Sequence, residues 1–218
     1  MRKFALGFTL FWLFSSGSAH AEFLFRFDQS SYTVQAGQKA NVQVFLRETH
    51  AVGQSVLRSQ GLSSGGVTIN LGPSPEVVTI TTADITGNPA FNDFFTSAVN
   101  PPRFIEGAFS NPVLGTAISD TITEIFLGTF MFTGASAGTT TLTATTQRQG
   151  FFNVTGTGIF LDVSPPDGIG PIANASAEFT TEGFIIPEPS SLVLLGVGSA
   201  GLGLYLRRRQ ATVARSPA

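Results

Sequence analysis

From residue 22 to residue 186, apolar and polar side chains alternate in steps of two and almost nowhere in steps of three and four. Successive side chains of a strand point to opposite faces, so such a run buries one face and wets the other. In FLFRF, Phe23, Phe25 and Phe27 share a face. In NVQVFL, Val42, Val44 and Leu46 face one way, and Asn41, Gln43 and Phe45 the other. Val67, Ile69 and Leu71 repeat the pattern, as do Leu142 with Ala144, and Ile159 with Leu161 and Val163. Residues 124–132 (EIFLGTFMF) are apolar on both faces, which predicts a central strand covered from both sides or a bulge at Gly128. Turn-forming runs punctuate these stretches: Gln35-Ala36-Gly37, Ser64-Gly65-Gly66, Gly134 to Gly138 and Pro165-Pro166-Asp167-Gly168. Short strands at this spacing predict an all-β sandwich of the jelly-roll kind. The stretch from Asp84 to Ser97 breaks the alternation. Its Phe91, Phe94 and Phe95 predict one short helical turn closing an end of the sandwich, or a ring-lined loop.

The two ends read differently. Residues 1–21 (MRKFALGFTLFWLFSSGSAHA) carry Arg2 and Lys3, an apolar run from Phe4 to Phe14, and a small-x-small site at Ala19-His20-Ala21. The apolar run is too short to span a bilayer comfortably, so the pattern predicts a helical signal peptide removed before Glu22. At the other end, residues 187–209 read PEPSSLVLLGVGSAGLGLYLRRR. Pro187 and Pro189 fix φ and keep the backbone around Glu188 extended and open to a protease. Ser190 to Leu206 carries no charge, and its seventeen residues reach roughly 25 Å as a helix, a short transmembrane span. Small residues from Gly196 to Gly203 weaken its hydrophobicity. Arg207, Arg208 and Arg209 then stop translocation and hold the C-terminus in the cytoplasm.

This ordered set (Pro-Glu-Pro, short apolar span, Arg cluster) resembles the PEP-CTERM sorting signal. The resemblance implies recognition by an exosortase, a multi-pass membrane cysteine transpeptidase that cleaves near the Pro-Glu-Pro. It places the recognition motif on Pro187, Glu188 and Pro189, the span on Ser190 to Leu206, and the membrane stop on Arg207, Arg208 and Arg209. The extension Gln210 to Ala218 runs longer than such tails usually do and leaves the motif intact. The same tail type also occurs on some ice-binding-like proteins. The expected organisation is a signal peptide over 1–21, a β-sandwich ectodomain over 22–183, a sorting signal over 184–209 with its helix at 190–206, and a cytoplasmic tail over 210–218.

A second resemblance lies in the ectodomain. YTVQAGQKANVQVFLRET is similar to the opening strands of cohesin-type sandwiches, in which a Gly turn precedes an alternating V-x-V-x-L strand. FLGTFMFTGASAGTTTLTATTQ resembles the cohesin succession of Phe-rich strand, small-residue turn and Thr-rich strand. The resemblance implies a cohesin-like sandwich.

The chemistry narrows by what is missing. The chain has no cysteine, which excludes a disulfide framework, thiolate catalysis and sulfur-built zinc sites. Between Glu22 and Ile186 six basic residues stand against thirteen acidic ones, a net charge of −7. Such a surface repels phosphate backbones, so nucleic acid is not an expected partner. His50, the one histidine after the signal peptide, lies in the polar run RETHAVGQS and reads as a solvated loop residue. Nothing in the sequence marks two of the thirteen carboxylates as a hydrolytic pair. Asp162 and Asp167 around the SPPDG turn read as caps of their own backbone rather than Ca²⁺ ligands. The only Trp, Trp12, lies in the signal peptide and Tyr32 is the only Tyr between the ends, so a conventional aromatic sugar platform is not expected. Thr139, Thr141, Thr143 and Thr145 share one strand face. A flat T-x-T ladder can face ice, and Thr is also simply favoured on solvated strand faces.

The sequence therefore predicts a non-enzymatic protein without cofactor or metal. It is exported and exosortase-sorted to the cell surface or extracellular matrix, with an adhesive or structural role. The sorting-signal resemblance adds an association with exopolysaccharide or biofilm. The alternative is a cohesin-like module that binds another surface protein. Lesser alternatives are an ice- or glycan-binding protein and a secreted hydrolase.

Overall fold

The alternating runs become strands whose buried side chains meet in one core. The structure, a computed structural model, describes residues 21–91, 93–98, 101–107, 111–147, 152–154, 161, 170–183, 194–200 and 202. In chain order the strands are β1 (Glu22–Phe27), β2 (Ser31–Gln35), β3 (Lys39–Thr49), β4 (Leu62–Leu71), β5 (Val78–Thr79), β6 (Ile85–Gly87) and β7 (Asp93–Ser97). They continue with β8 (Arg103–Gly107), β9 (Thr116–Ser119), β10 (Ile122–Gly134), β11 (Gly138–Thr146), β12 (Asn153–Val154) and β13 (Ala175–Glu182). One short helix, α1 (Val56–Ser59), joins β3 to β4.

Among the described residues these strands form two sheets. The first runs β1-β3-β10, with β5, β6 and β9 along the far edge of β10; the second runs β2-β13-β11-β4-β8-β7, with β12 on β4. The chain changes sheets between β1 and β2, so that β2 pairs with β13 in parallel. Asp28 holds that crossing: it accepts from the Tyr32 hydroxyl at 2.6 Å and from the Gln43 backbone N–H at 2.8 Å. Burial first, and then the neighbouring Asp28, hold the Tyr32 hydroxyl protonated well above the usual range.

Phenylalanines join the sheets. Phe104 of β8 lies 5.3 Å from Phe130 of β10, and Phe179 of β13 lies 6.0 Å edge-on to Phe132. Phe25 meets Phe152 at 5.6 Å, also edge-on. All six rings are fully buried. Each such ring removes roughly 150–250 Å² from water, so three cross-sheet pairs supply much of what disulfides supply in smaller exported domains.

The all-β sandwich expected from the alternation is what forms, and of the two readings of residues 124–132 the bulge at Gly128 holds, while the outer face of the strand is left partly exposed. β10 is central in its sheet, and its pairing with β3 skips a residue between Phe126 and Gly128. Before the skip Ile125 and Leu127 point inward, and after it Phe130 and Phe132 do. The bulge reverses the parity, so a run apolar on both faces still buries one continuous row.

Residues 84–97 differ from expectation. A 3₁₀ turn lies just earlier, at Thr82–Asp84; Phe91 is buried in a turn over 88–91 between β6 and β7, and Phe94 and Phe95 belong to β7. The Asp84 carboxylate accepts from the Thr81 backbone N–H at 3.0 Å, part of a capping box at the start of the turn, and from Lys39 Nζ at 2.7 Å. Phe95 is 57 % exposed on β7 and closes nothing. The chain divides into two units, residues 1–182 and 183–218. In the second, residues 194–200 and 202 are helical.

Candidate functional site

Most of the expected sorting segment, including Pro187, Glu188, Pro189, Arg207, Arg208 and Arg209, lies outside the described residues, as does Ala19 of the signal peptide. Ala21 and Glu22 are described, with Glu22 opening β1. Of the expected span, residues 194–200 and 202 form a helix whose Leu194, Leu195, Val197 and Leu202 are 63–77 % exposed. No helix among the described residues is long and apolar enough to cross a membrane.

In the sandwich, His50 is buried, not solvated as expected. Its Nδ1 lies 2.8 Å from the Ala51 carbonyl oxygen and its Nε2 lies 3.0 Å from Thr123 Oγ1. A carbonyl only accepts, so Nδ1 carries a proton, and Nε2 shares a hydrogen bond with the Thr123 hydroxyl, which can donate or accept. Thr123 is fully buried. The imidazole thus pins the end of β3 to β10. Beside it a cleft of about 340 Å³ is lined by Ser55, Arg58, Ser59, Asp120 and His50. Its hydroxyls turn inward: Ser55 donates to Glu48 at 2.6 Å and Ser59 to the Ser55 carbonyl at 2.6 Å. Glu48, fully buried, also accepts from the backbone of Val56 and Leu57 and so caps α1.

The buried carboxylates do not converge on a metal. Among the described residues no three of His, Asp or Glu are placed to hold one. Asp162 and Asp167 lie outside the described residues. Lys39 and Thr81 hold Asp84 down at about 2. Glu106 is the exception. It points from β8 into the sandwich at 1 % exposure, accepts weakly from Asn88 N–H at 3.3 Å, and its Oε1 has no partner. Burial pushes its pKa up to about 9, so the group is a neutral acid at pH 7.

The two outer faces carry opposite chemistry. On the second sheet, register puts Thr33, Thr180 and Thr139 in one row, and Ser176, Thr143 and Asn70 in another. Thr139 and Thr180 lie 3.0 Å apart, Thr143 and Ser176 3.2 Å, and Asn70 donates to Thr145 at 3.0 Å. The expected threonine ladder is therefore one column of a hydroxyl array spread over neighbouring strands.

On the first sheet, Leu24, Arg47 and Glu124 form one row and Arg26, Phe45 and Phe126 the next. Arg26 meets Glu124 with two prongs, Nε to Oε1 at 2.7 Å and Nη2 to Oε2 at 3.1 Å; Arg47 Nε reaches the same Oε1 at 2.6 Å. The Arg26 guanidinium lies 4.6 Å over the Phe45 ring, and Phe45 and Phe126 lie 5.5 Å apart. Burial alone would raise the pKa of Glu124, but the two guanidiniums outweigh it and hold it below its ordinary value. Phe45 falls on the polar face of NVQVFL in the sequence. Its partners come from strands far away in the chain and leave no local signal.

Residues 186–209 match the PEP-CTERM protein-sorting motif. The match spans the Pro-Glu-Pro, the apolar run and the Arg cluster in one stretch, and it marks the chain as an exported precursor. No curated protein matches the chain. Among solved structures, a chain of the CaDoc0917–CaCohA2 complex crystallised at pH 5.5 is 12 % identical, with TM-score 0.41, over 74 % of this chain and 99 % of that one. A chain of the type I cohesin–dockerin complex Coh-OlpA–Doc918 from Clostridium thermocellum is 10 % identical, TM-score 0.38, over 76 % and 99 %. The seventh ScaB type I cohesin from Pseudobacteroides cellulosolvens is 7 % identical, TM-score 0.40, over 78 % and 96 %. Likeness at this level carries nothing about a partner of this chain.

Proposed function

We propose that the chain is an exosortase substrate whose sandwich, once released, serves as an adhesive or structural component in extracellular polysaccharide. The observation that carries this reading is the sorting-motif match over 186–209. The signal peptide leaves after Ala21. Arg207, Arg208 and Arg209 hold the tail at the cytoplasmic surface, where three guanidiniums cannot follow an apolar helix through hydrocarbon. The exosortase reads Pro187, Glu188 and Pro189 and cuts close to Pro189, freeing the sandwich outward. A non-enzymatic role is supported by the burial of His50 and Glu48 in structural hydrogen bonds. The acidic surface keeps such a protein soluble in an external matrix.

Exchange of Glu188 for Ala, or of Pro187 and Pro189 together for Ala, is expected to leave a full-length membrane-bound species in a host that owns an exosortase. Cleavage of both variants at the wild-type rate would remove the reading.

A further inference from the structure

An open sheet edge is a row of backbone donors and acceptors, and proteins guard such edges with charge, proline, bulges or very short strands. Most edges of this sandwich are guarded. β1 is bridged to Ala173. β5 and β6 are two and three residues long, β9 shifts register against β10, and β7 opens on a charged residue. β2 (SYTVQ) has none of these: its five residues include no charge and no proline, and its pairing with β13 runs without a shift. The bonds at its two ends fix which way each residue turns. The Ser30 carbonyl accepts from the Glu178 N–H at 3.0 Å, and the Ala36 N–H donates to the Glu182 carbonyl at 2.9 Å. Even-numbered residues therefore turn to β13, and Ser31, Thr33 and Gln35 turn their N–H and C=O outward. All three are exposed, and among the described residues no strand lies beyond β2. Beside it is a cleft of about 400 Å³ with Thr33, Val34, Lys39, Asn41 and Gln43 in its walls. The cleft exists because β1 parts from β3 at Val44, and no other described strand takes its place beside Lys39 and Asn41.

We infer that β2 is a self-association edge: a second copy of this chain adds its own β2 antiparallel to it, with the twofold axis at Thr33. The strand is self-complementary about that residue, as an isologous contact requires. Thr33 meets Thr33 of the second copy, and Ser31 meets Gln35, each with its N–H and C=O turned to the other. The one internal claim on these groups is a bond from the Gln35 N–H to Gln38 Oε1 at 3.3 Å, weak enough for pairing to displace. On the inner side of the strand Val34, half-buried in one copy, is covered by Tyr32 of the other. On the outer side the row Thr139, Thr180, Thr33 runs on across the axis into the same row reversed, and threonines facing across strands hydrogen-bond. The charges nearby do not oppose this. Asp28 and Lys39 are already paired within the chain. Glu178 and Glu182 flank β2 on β13, and in the pair they stand three strand spacings apart, about 14 Å, beyond the screening length at physiological salt. A foreign peptide gains the same backbone bonds, but its side chains find no charged or apolar pocket to fix its register. Two five-residue strands bury less than the roughly 1,000 Å² of a stable interface. The contact is therefore weak in dilute solution and gains where many copies are held close together. Nothing in this pairing depends on how the tail is cut.

The test is analytical ultracentrifugation of the exported protein recovered from cells that express the full chain. The wild type is expected to show a monomer–dimer equilibrium with a dissociation constant between about 10 μM and 1 mM. Thr33→Pro removes an N–H that does not serve β13, a change an edge strand tolerates, and is expected to weaken the dimer at least about tenfold. Thr33→Lys sets two like charges against each other at the axis and is expected to do the same. An equal mixture of Thr33→Lys and Thr33→Glu is expected to restore the dimer, with rising salt weakening the mixture more than the wild type. That rescue decides the matter if Thr33→Pro fails to fold. A wild type still monomeric at about 1 mM would overturn the inference. So would a dimer that survives both Thr33→Pro and Thr33→Lys, whether the tail or another face holds it. Loss of the dimer in Ile118→Lys on β9, with Thr33→Lys unaffected, would move the contact to the other sheet. A foreign chain captured by a monomeric wild type and released by Thr33→Pro would give the edge a different occupant and also overturn the inference.

Discussion

Arg26 and Glu124, 98 residues apart in the chain, meet as a two-pronged ion pair on the outside of the first sheet, with the carboxylate nearly buried and the guanidinium 31 % exposed. Arg47 closes on the same oxygen, so Glu124 ties β1, β3 and β10 together at one point. Exchange for Gln keeps the shape and removes the charge that both guanidiniums share. The expected loss is about 1–2 kcal/mol, kept small by the solvent that screens the arginines. The sign with pH follows from the lowered pKa of Glu124. Its contribution is present above its ordinary carboxylate range and is lost as pH falls through the lower folded value. Thermal melts of wild type and Glu124→Gln should therefore differ at pH 7 and converge toward pH 2.

Glu106 runs the other way. Its folded pKa of about 9 lies above the ordinary 4.5, so between those values the unfolded chain ionises this group while the folded chain must keep it protonated. The group's effect on stability turns steadily less favourable across that window, at up to about 1.4 kcal/mol per pH unit. Glu106→Gln removes the titration and leaves the 3.3 Å contact with the Asn88 N–H available to the amide oxygen. The variant is expected to gain about 2–4 kcal/mol on the wild type between pH 5 and pH 8, read from denaturant midpoints at each pH. A constant difference across that range would show that the carboxyl is not buried as described.

The mature chain is expected to begin at Glu22. Ala19 and Ala21 supply the small side chains a signal peptidase needs, and β1 opens at Glu22. Intact-mass measurement of the exported form checks this directly, and a mass retaining residues 1–21 would refute it.

What was legible in the sequence was whatever depends on near neighbours. Alternation in FLFRF and NVQVFL gave the inward rows of β1 and β3, because strand parity is a local property. The sorting motif was legible for the same reason: an exosortase must read a linear segment. The change of sheet between β1 and β2 was not, since the parallel pairing with β13 joins residues about 147 apart. His50 looked solvated because its neighbours Glu48 and Thr49 are polar. Thr123, which buries it, arrives on β10. β7 was hidden because its residues do not alternate cleanly, and because it borders a single strand, β8, within its sheet. Edge strands are held by few partners and leave weak patterns.

Gly128 is where local sequence and long-range packing meet most tightly. A Cβ there would lie 2.7 Å from the Thr86 carbonyl oxygen and 3.0 Å from the Phe104 ring. The first is backbone in β6, which is itself paired to β10 across Gly128 and Gly87. The second is a fully buried ring packed at a tilt against Phe130, so neither neighbour can yield without moving a strand or the core. Gly128→Ala is therefore expected to cost about 2–4 kcal/mol, in the range of overpacked core positions. In a domain of this size that lowers the melting temperature by roughly 5–12 °C. The strain should appear first where β6 meets β10, as faster amide exchange at Gly128 and Phe130, while the β11–β13 pairing of the other sheet keeps its protection. A variant that melts within one degree of wild type would mean that the bulge can slide along β10. The parity reversal that buries both Leu127 and Phe130 would then not be fixed by this glycine.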